Sequence, residues 1–292
     1  MIPIRFCLGP AGLPVTRAPS DAAKFVDYCH RLEDAGFHAI GFGDHLDDRP
    51  APIAAIAAAA ACTTTLHVGV LVLCSEFRNS AVVAQEARTL QVLSGSRVEF
   101  GLGVGWMTRD FATTGIARRS FADRLAHLTT TATAVRAAFA PEHGLACPPL
   151  IIGGGGPRML HAAAQLADIV TINIPLLAGA SVAANTIANT GSETEVRRRI
   201  DLVRSTNPSV EIQMNVHEVY VGDDWPSFAH QRANALDMTE EAFLRSPHTL
   251  VGSVSGVVAT LQQRAETLGV TYWSMTGAAL GMMSPVVAAL GS

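Results

Sequence analysis

The sequence lacks a run able to cross a bilayer. Its most apolar later stretch, Ala51–Ala61, is alanine-rich and short, whereas a spanning helix needs about 20 apolar residues. The opening MIPIRFCLGP carries no long apolar run behind a basic region, so a first strand is expected there rather than a signal peptide. Cysteine is scarce and scattered. The five residues (Cys7, Cys29, Cys62, Cys74, Cys147) are odd in number and form no CxxC pair, which points to reduced thiols, a cytoplasmic setting and small buried hydrophobes rather than a disulfide frame. There is no acidic or basic tail, and a net charge of −4 gives no basic field for nucleic acid or an anionic membrane. Neither GxSxG nor GK[ST] occurs, and apart from His45 the histidines fall at no metal-ligand spacing, so no metal site is expected.

What is present is an ordinary, slightly apolar balance over 292 residues, 49% hydrophobic and 16% charged, enough for a sizeable core in one large barrel or two small domains. Short β-rich runs alternate with longer amphipathic ones. Strands are expected at Ile4–Leu8, Ala39–Phe42, His67–Leu73, Val98–Val104, Leu150–Ile152, Ile169–Ile174, Ile212–Tyr220 and Thr271–Met275. Several are almost continuously apolar (VGVLVL, DIVTINI), which suits parallel strands covered on both faces. Helices are expected at Ser20–Ala35, Ile53–Cys62, Ala81–Leu93, Phe121–Phe139, Arg158–Leu166, Glu193–Ser205 and Val257–Leu268, with Ala229–Leu236 and Glu240–Arg245 as one broken element. Ser20-Asp21 supplies N-cap chemistry for the first. Eight strands alternating with helices suggest a (β/α)8 barrel, a doubly wound open sheet being the alternative. The stretch 175–191 is long for a βα loop and reads as an irregular rim insertion or a short extra helix.

In a barrel, chemistry sits at the C-terminal ends of the strands. After strand 5 comes Gly153-Gly154-Gly155-Gly156-Pro157-Arg158. Proline at a helix's first turn loses no needed N–H, glycines let backbone amides approach a ligand, and an arginine adds a charge-assisted bond, which together describe a phosphate site. The spacing is not the GxGxxG fingerprint, because Arg158 or Met159 stands where the third glycine belongs. After strand 4 comes GLGVGWM. Gly101, Gly103 and Gly105 alternate and share one face, making room for a ligand or for tight packing, and Trp106 can wall a planar ring. After strand 2 comes Gly43-Asp44-His45, where His45 can move a proton near neutral pH and Asp44 can orient a ring or bond a cofactor. Arg78 and Asn79 read as helix-capping residues, and Cys74, at a strand end, has no partner base identifiable by sequence.

GFGDHL, then FRNSAVVAQEARTLQVLSGSRVEFGLGVGWMTRDFATTGI, then PPLIIGGGGPRML with ADIV, and finally SPHTLVGS resemble the luciferase-like monooxygenase superfamily, in particular its deazaflavin-dependent oxidoreductases, over most of the chain and in the family's order. The resemblance implies one luciferase-like barrel domain over residues 1–292. It implies coenzyme F420 as cofactor, or alternatively FMN, and hydride exchange with a small organic substrate; the alternative activity is an FMN-dependent monooxygenation with molecular oxygen. A bulge with a non-prolyl cis peptide would back the ring near Leu71–Cys74, with Val72, Cys74, Val104 and Gly105 along the cofactor. Gly154, Gly155, Gly156, Arg158 and Met159 would hold its phosphate, Asp44 would hold the cofactor or the histidine, and His45 would be the catalytic proton carrier. A homodimer is compatible with this reading. Two departures stand out. The family's sugar-phosphate dehydrogenases have a glutamate where Trp106 stands and a tryptophan near Arg49, so glucose 6-phosphate is not the expected substrate.

Overall fold

A computed structural model describes residues 1–9, 18–139, 144–175, 187–188 and 190–291. Eight parallel strands close into a barrel: β1 (Arg5–Leu8), β2 (Ala39–Phe42), β3 (His67–Cys74), β4 (Val98–Gly103), β5 (Leu150–Gly154), β6 (Ile169–Ile172), β7 (Glu211–Asn215) and β10 (Tyr272–Met275). The ladder runs β1-β10-β7-β6-β5-β4-β3-β2 and returns to β1. The barrel expectation holds and the open sheet does not: β1 pairs with both β2 and β10, which leaves no free edge.

The run Ile212–Tyr220 is not one strand. After Asn215 the chain leaves the barrel ladder: Val216 N–H still donates to the Ser274 carbonyl at 2.7 Å, but His217 N–H donates to the His248 carbonyl at 2.9 Å. The remainder forms β8 (Glu218–Val221), paired in parallel with β9 (Thr249–Gly252). Between these strands lie two separate helices, Trp225–Ala235 and Glu240–Arg245, divided where Asp237 takes φ 55°. This small β8–β9 unit has its own apolar core around Phe243, Ala229 and Ile174. The insertion expected at 175–191 falls largely outside the described residues.

The helices around the barrel follow local rules. Helix α1 (Asp21–Asp34) is not capped by Ser20; instead the Asp21 carboxylate accepts from Ala18 N–H at 3.1 Å. Helix α2 (Pro52–Cys62) starts on a proline, where the missing N–H costs nothing. Helix α3 (Ser80–Leu93) is capped by Asn79, whose side chain accepts from Ala81 N–H. A short helix not foreseen from sequence, α4 (Thr108–Thr114), ends on Gly115 at φ 69°. It is followed by α5 (Phe121–Ala137), capped by Ser120, and by α6 (Pro157–Leu166) after the glycines. The chain ends in Leu280–Gly291, a largely apolar helix also not foreseen. The strands bury most of their apolar side chains, and Trp273, Phe42, Phe100 and Leu73 expose none of their surface. Each contributes about 1.5–3 kcal/mol through burial.

Candidate functional site

One cavity of about 910 Å³ opens at the C-terminal ends of the strands, and every site residue expected from the sequence lines it: Asp44, His45, Val72, Cys74, Val104, Gly105, Gly154, Gly155, Gly156, Arg158 and Met159. Its size falls within the range of small-molecule and cofactor sites.

The wall from β3 carries the expected irregularity. The Leu71–Val72 peptide is cis, and the β3–β4 register shifts between Val70 and Leu73. The alternating glycines of β4 serve this bulge rather than a ligand directly. A Cβ on Gly103 would stand 2.6 Å from Val72 Cγ2, one on Gly101 would strike the Val70 carbonyl, and on the other neighbouring strand one on Gly41 would stand 2.5 Å from Leu71 Cδ1. Gly105 lies beyond the strand at φ 70°, where a side chain would meet Cys74 Sγ at 2.6 Å. Arg124 donates to the carbonyls of Val104 and Gly105 and so fixes this turn from beneath. Burial pushes the Cys74 thiol up to about 12, so it stays protonated and is not a nucleophile near neutrality.

His45 and Asp44 part company despite being adjacent. The Asp44 carboxylate is buried and accepts from Cys74 N–H at 2.9 Å and from both terminal nitrogens of Arg78, at 2.5 and 3.2 Å. This bidentate pair ties the end of β2 to the end of β3, so Arg78 is more than a helix-capping residue and Asp44 does not hold the histidine. That task falls to Asp110 on α4, which sequence reasoning missed. His45 Nδ1 donates to Asp110 Oδ2 at 2.7 Å, and Asp110 itself is buried. With Nδ1 so occupied, Nε2 is left to exchange a proton. Trp106 stands edge-on to the His45 ring, centroids 5.8 Å apart.

The four glycines divide their work. A Cβ on Gly155 would lie 2.5 Å from Pro175 N and 2.7 Å from the Asn173 carbonyl, so this residue permits main chain to touch main chain. A Cβ on Gly154 would meet Met159 Cγ at 2.7 Å. Gly156, the N-cap of α6 at φ −92°, has nothing among the described residues within 4 Å of its Cβ position. Past it, the N–H groups of Arg158 and Met159 in the first turn of α6 have no partner among the described residues, which is where a helix takes an anion. Arg158, its guanidinium 4.7 Å from the centre of the Phe121 ring, stands beside them.

A model of the luciferase-like monooxygenase family matches residues 4–272. The chain belongs to the luciferase-like monooxygenase family. Among curated relatives of this luciferase-like chain, the F420-dependent glucose-6-phosphate dehydrogenase of Amycolatopsis mediterranei (strain U-32) is 31% identical over 119 residues, 38% of this chain and 36% of that protein. The match thus spans about a third of the relative's length. Among solved structures, an F420-dependent secondary alcohol dehydrogenase in complex with an F420-acetone adduct superposes with TM-score 0.72 at 13% identity, covering 99% of each chain. The monooxygenase RslO1 from Streptomyces bottropensis superposes with TM-score 0.70 at 16% identity, covering 99% of this chain and 100% of that one. At such identities the structures share the fold.

The luciferase-like barrel also gathers polar groups at its opposite end, which the spacing of histidines in the sequence did not reveal. His38, just before β2, His67 on β3 and Glu99 on β4 place one ligand-type atom each within 4.8 Å of the others. Arg5 supplies a positive charge there, its guanidinium lying 3.0 Å from His38 Nε2 and donating to Glu211 at 2.5 Å. Burial opposes a charge on Glu99, but hydrogen bonds from His38 and Tyr272 outweigh it and hold the carboxyl below its usual range.

Proposed function

We propose that this protein is an oxidoreductase that exchanges a hydride between coenzyme F420 and a small organic substrate. The observation that carries the reading is the His45–Asp110 pair at the rim of the same cavity that the glycine loop and the β3 bulge enclose. Reduction of a carbonyl, or oxidation of an alcohol, needs a proton moved alongside the hydride. A histidine held by one ring nitrogen with the other left over is built for that. The curated relatives support F420 over FMN as the cofactor.

The residues present fit such a cofactor. The first turn of α6 with Arg158 would hold a phosphate, and the bulge at Leu71–Cys74, with Val72 lining the cavity, would back the ring. When bound, the deazaflavin supplies the hydride from the carbon that replaces the central-ring nitrogen of a flavin. The protein contributes orientation, through the Asp44–Arg78 pair that locks the ends of β2 and β3, and a cavity floor formed by buried barrel residues.

Titration with F420 and with FMN, in both redox states, tests the reading, together with oxygen consumption in the presence of reduced FMN. We expect F420 to bind and no oxygen to be consumed. Exclusive binding of FMN with oxygen uptake would replace the proposal by a flavin-dependent monooxygenation.

A further inference from the structure

The cavity is divided by charge. Among the described residues its charged side chains (Asp44, Arg49, Asp110, Arg118, Arg124, Arg158) all follow β2 to β5, while the ends of β6, β7 and β10 contribute only neutral polar groups. In the barrel order β7 stands diametrically opposite β3, so this neutral wall faces the bulge across the cavity.

The hydrogen bonds of that wall fix its donors and acceptors. The Ile174 N–H can only donate, and it donates to the Asn173 side-chain oxygen at 2.9 Å, which identifies that atom as the carbonyl. The same oxygen therefore accepts from Asn215 Nδ2 at 3.3 Å and from His217 Nε2 at 3.2 Å. Asn215 Oδ1 in turn accepts from the Ser274 hydroxyl at 3.3 Å. Because Nε2 of His217 carries the proton, Nδ1 is an acceptor, and it has no partner among the described residues. Burial keeps the ring neutral, lowering its pKa to about 4. One strand position deeper, Gln213 is fully buried, its oxygen taken by the Thr171 hydroxyl at 2.6 Å, while its Nε2 is buried without a partner. An unpaired buried donor such as Gln213 Nε2 is costly in the absence of a ligand.

We propose that this wall is a receptor for an uncharged substrate bearing a hydroxyl and a carbonyl or second hydroxyl, with His217 Nδ1 accepting a substrate O–H and Gln213 Nε2 donating to a substrate oxygen. The proposal rests on the oxidoreductase reading above for the word substrate, and on the wall alone for its selectivity. A carboxylate or phosphate ester placed here would meet no cation and would lose its hydration without replacement.

The test is calorimetric titration of the protein, with and without F420, using three probes: 4-hydroxycyclohexanone, trans-4-hydroxycyclohexanecarboxylate and glucose 6-phosphate. The hydroxyketone should bind at least tenfold more tightly than either anion. His217→Leu should lose at least tenfold of the hydroxyketone affinity, whereas His217→Gln, which keeps an acceptor oxygen, should stay within about threefold. Thermal unfolding establishes that both variants are folded, and the ratio among probes on the unsubstituted protein needs no variant. Tighter binding of either anion, no binding of the hydroxyketone, or an unchanged affinity in His217→Leu overturns the proposal. If F420 fails to bind while the probe selectivity appears in the cofactor-free protein, the F420 hydride-transfer reading falls and the receptor stands.

Discussion

His217 makes an acid-stability prediction that can be worked through. The ring is held as the neutral form by burial, and its pKa drops from 6.5 to about 4. Below pH 6.5 the unfolded chain takes up a proton that the folded chain refuses until about pH 4. Stability is therefore fully present above pH 6.5 and is lost as pH falls through that window. At 1.36 kcal/mol per pH unit the loss from this one group is roughly 3 kcal/mol. His248, which burial lowers to about 3 against the opposing hydrogen bond to the Asn215 carbonyl, acts in the same direction and extends the loss to lower pH. The assay is urea unfolding at pH 7.5, 6, 5 and 4.2 on the wild-type protein and on His217→Gln. The wild type should lose more stability than the variant between pH 6.5 and 4.2, by roughly 3 kcal/mol, with the slope in urea unchanged. Parallel stability profiles for the two proteins would refute the reasoning, because they would show that His217 titrates alike in the folded and unfolded chains.

Asp110→Asn should lower turnover on the order of 10²-fold and alter its pH profile, with cofactor affinity changed less than about threefold; an equal loss in both would show that Asp110 shapes the cofactor site instead of the histidine. Gly156→Val places its side chain in open space at an extended backbone position, so we expect a folded protein, by circular dichroism, with cofactor affinity at least tenfold weaker. Gly155→Val, whose Cβ would lie 2.5 Å from Pro175 N, should instead fail in folding. Arg78→Ala leaves the buried Asp44 carboxylate with one backbone donor, and chemical denaturation should register a loss of about 3–5 kcal/mol.

The barrel was legible because its strands are nearly continuous apolar runs bounded by helices, a pattern that only two-sided burial rewards. The break inside Ile212–Tyr220 was not, since VHEVY reads as unbroken strand and only the competing partners Ser274 and His248 divide it. The strand Thr249–Gly252 went unseen for the same reason: four residues have no periodicity to read. At the site, glycines and the GDH stretch announced themselves through residue type. Asp110 did not, because its role depends on a seven-residue helix folding back over a histidine 65 positions away. Gln213 and His217 were hidden in a strand-like run, where only barrel closure shows which side chains point inward.

Gly155 and Asn173 give the last consequence. The missing side chain lets the glycine loop rest against the Asn173 carbonyl and Pro175 N, while the Asn173 side chain anchors Asn215 and His217. The glycine loop and the neutral wall thus meet at the three residues Asn173, Ile174 and Pro175. They therefore share one packing contact, and a side chain at position 155 would press on the residue that holds Asn215 and His217 in place.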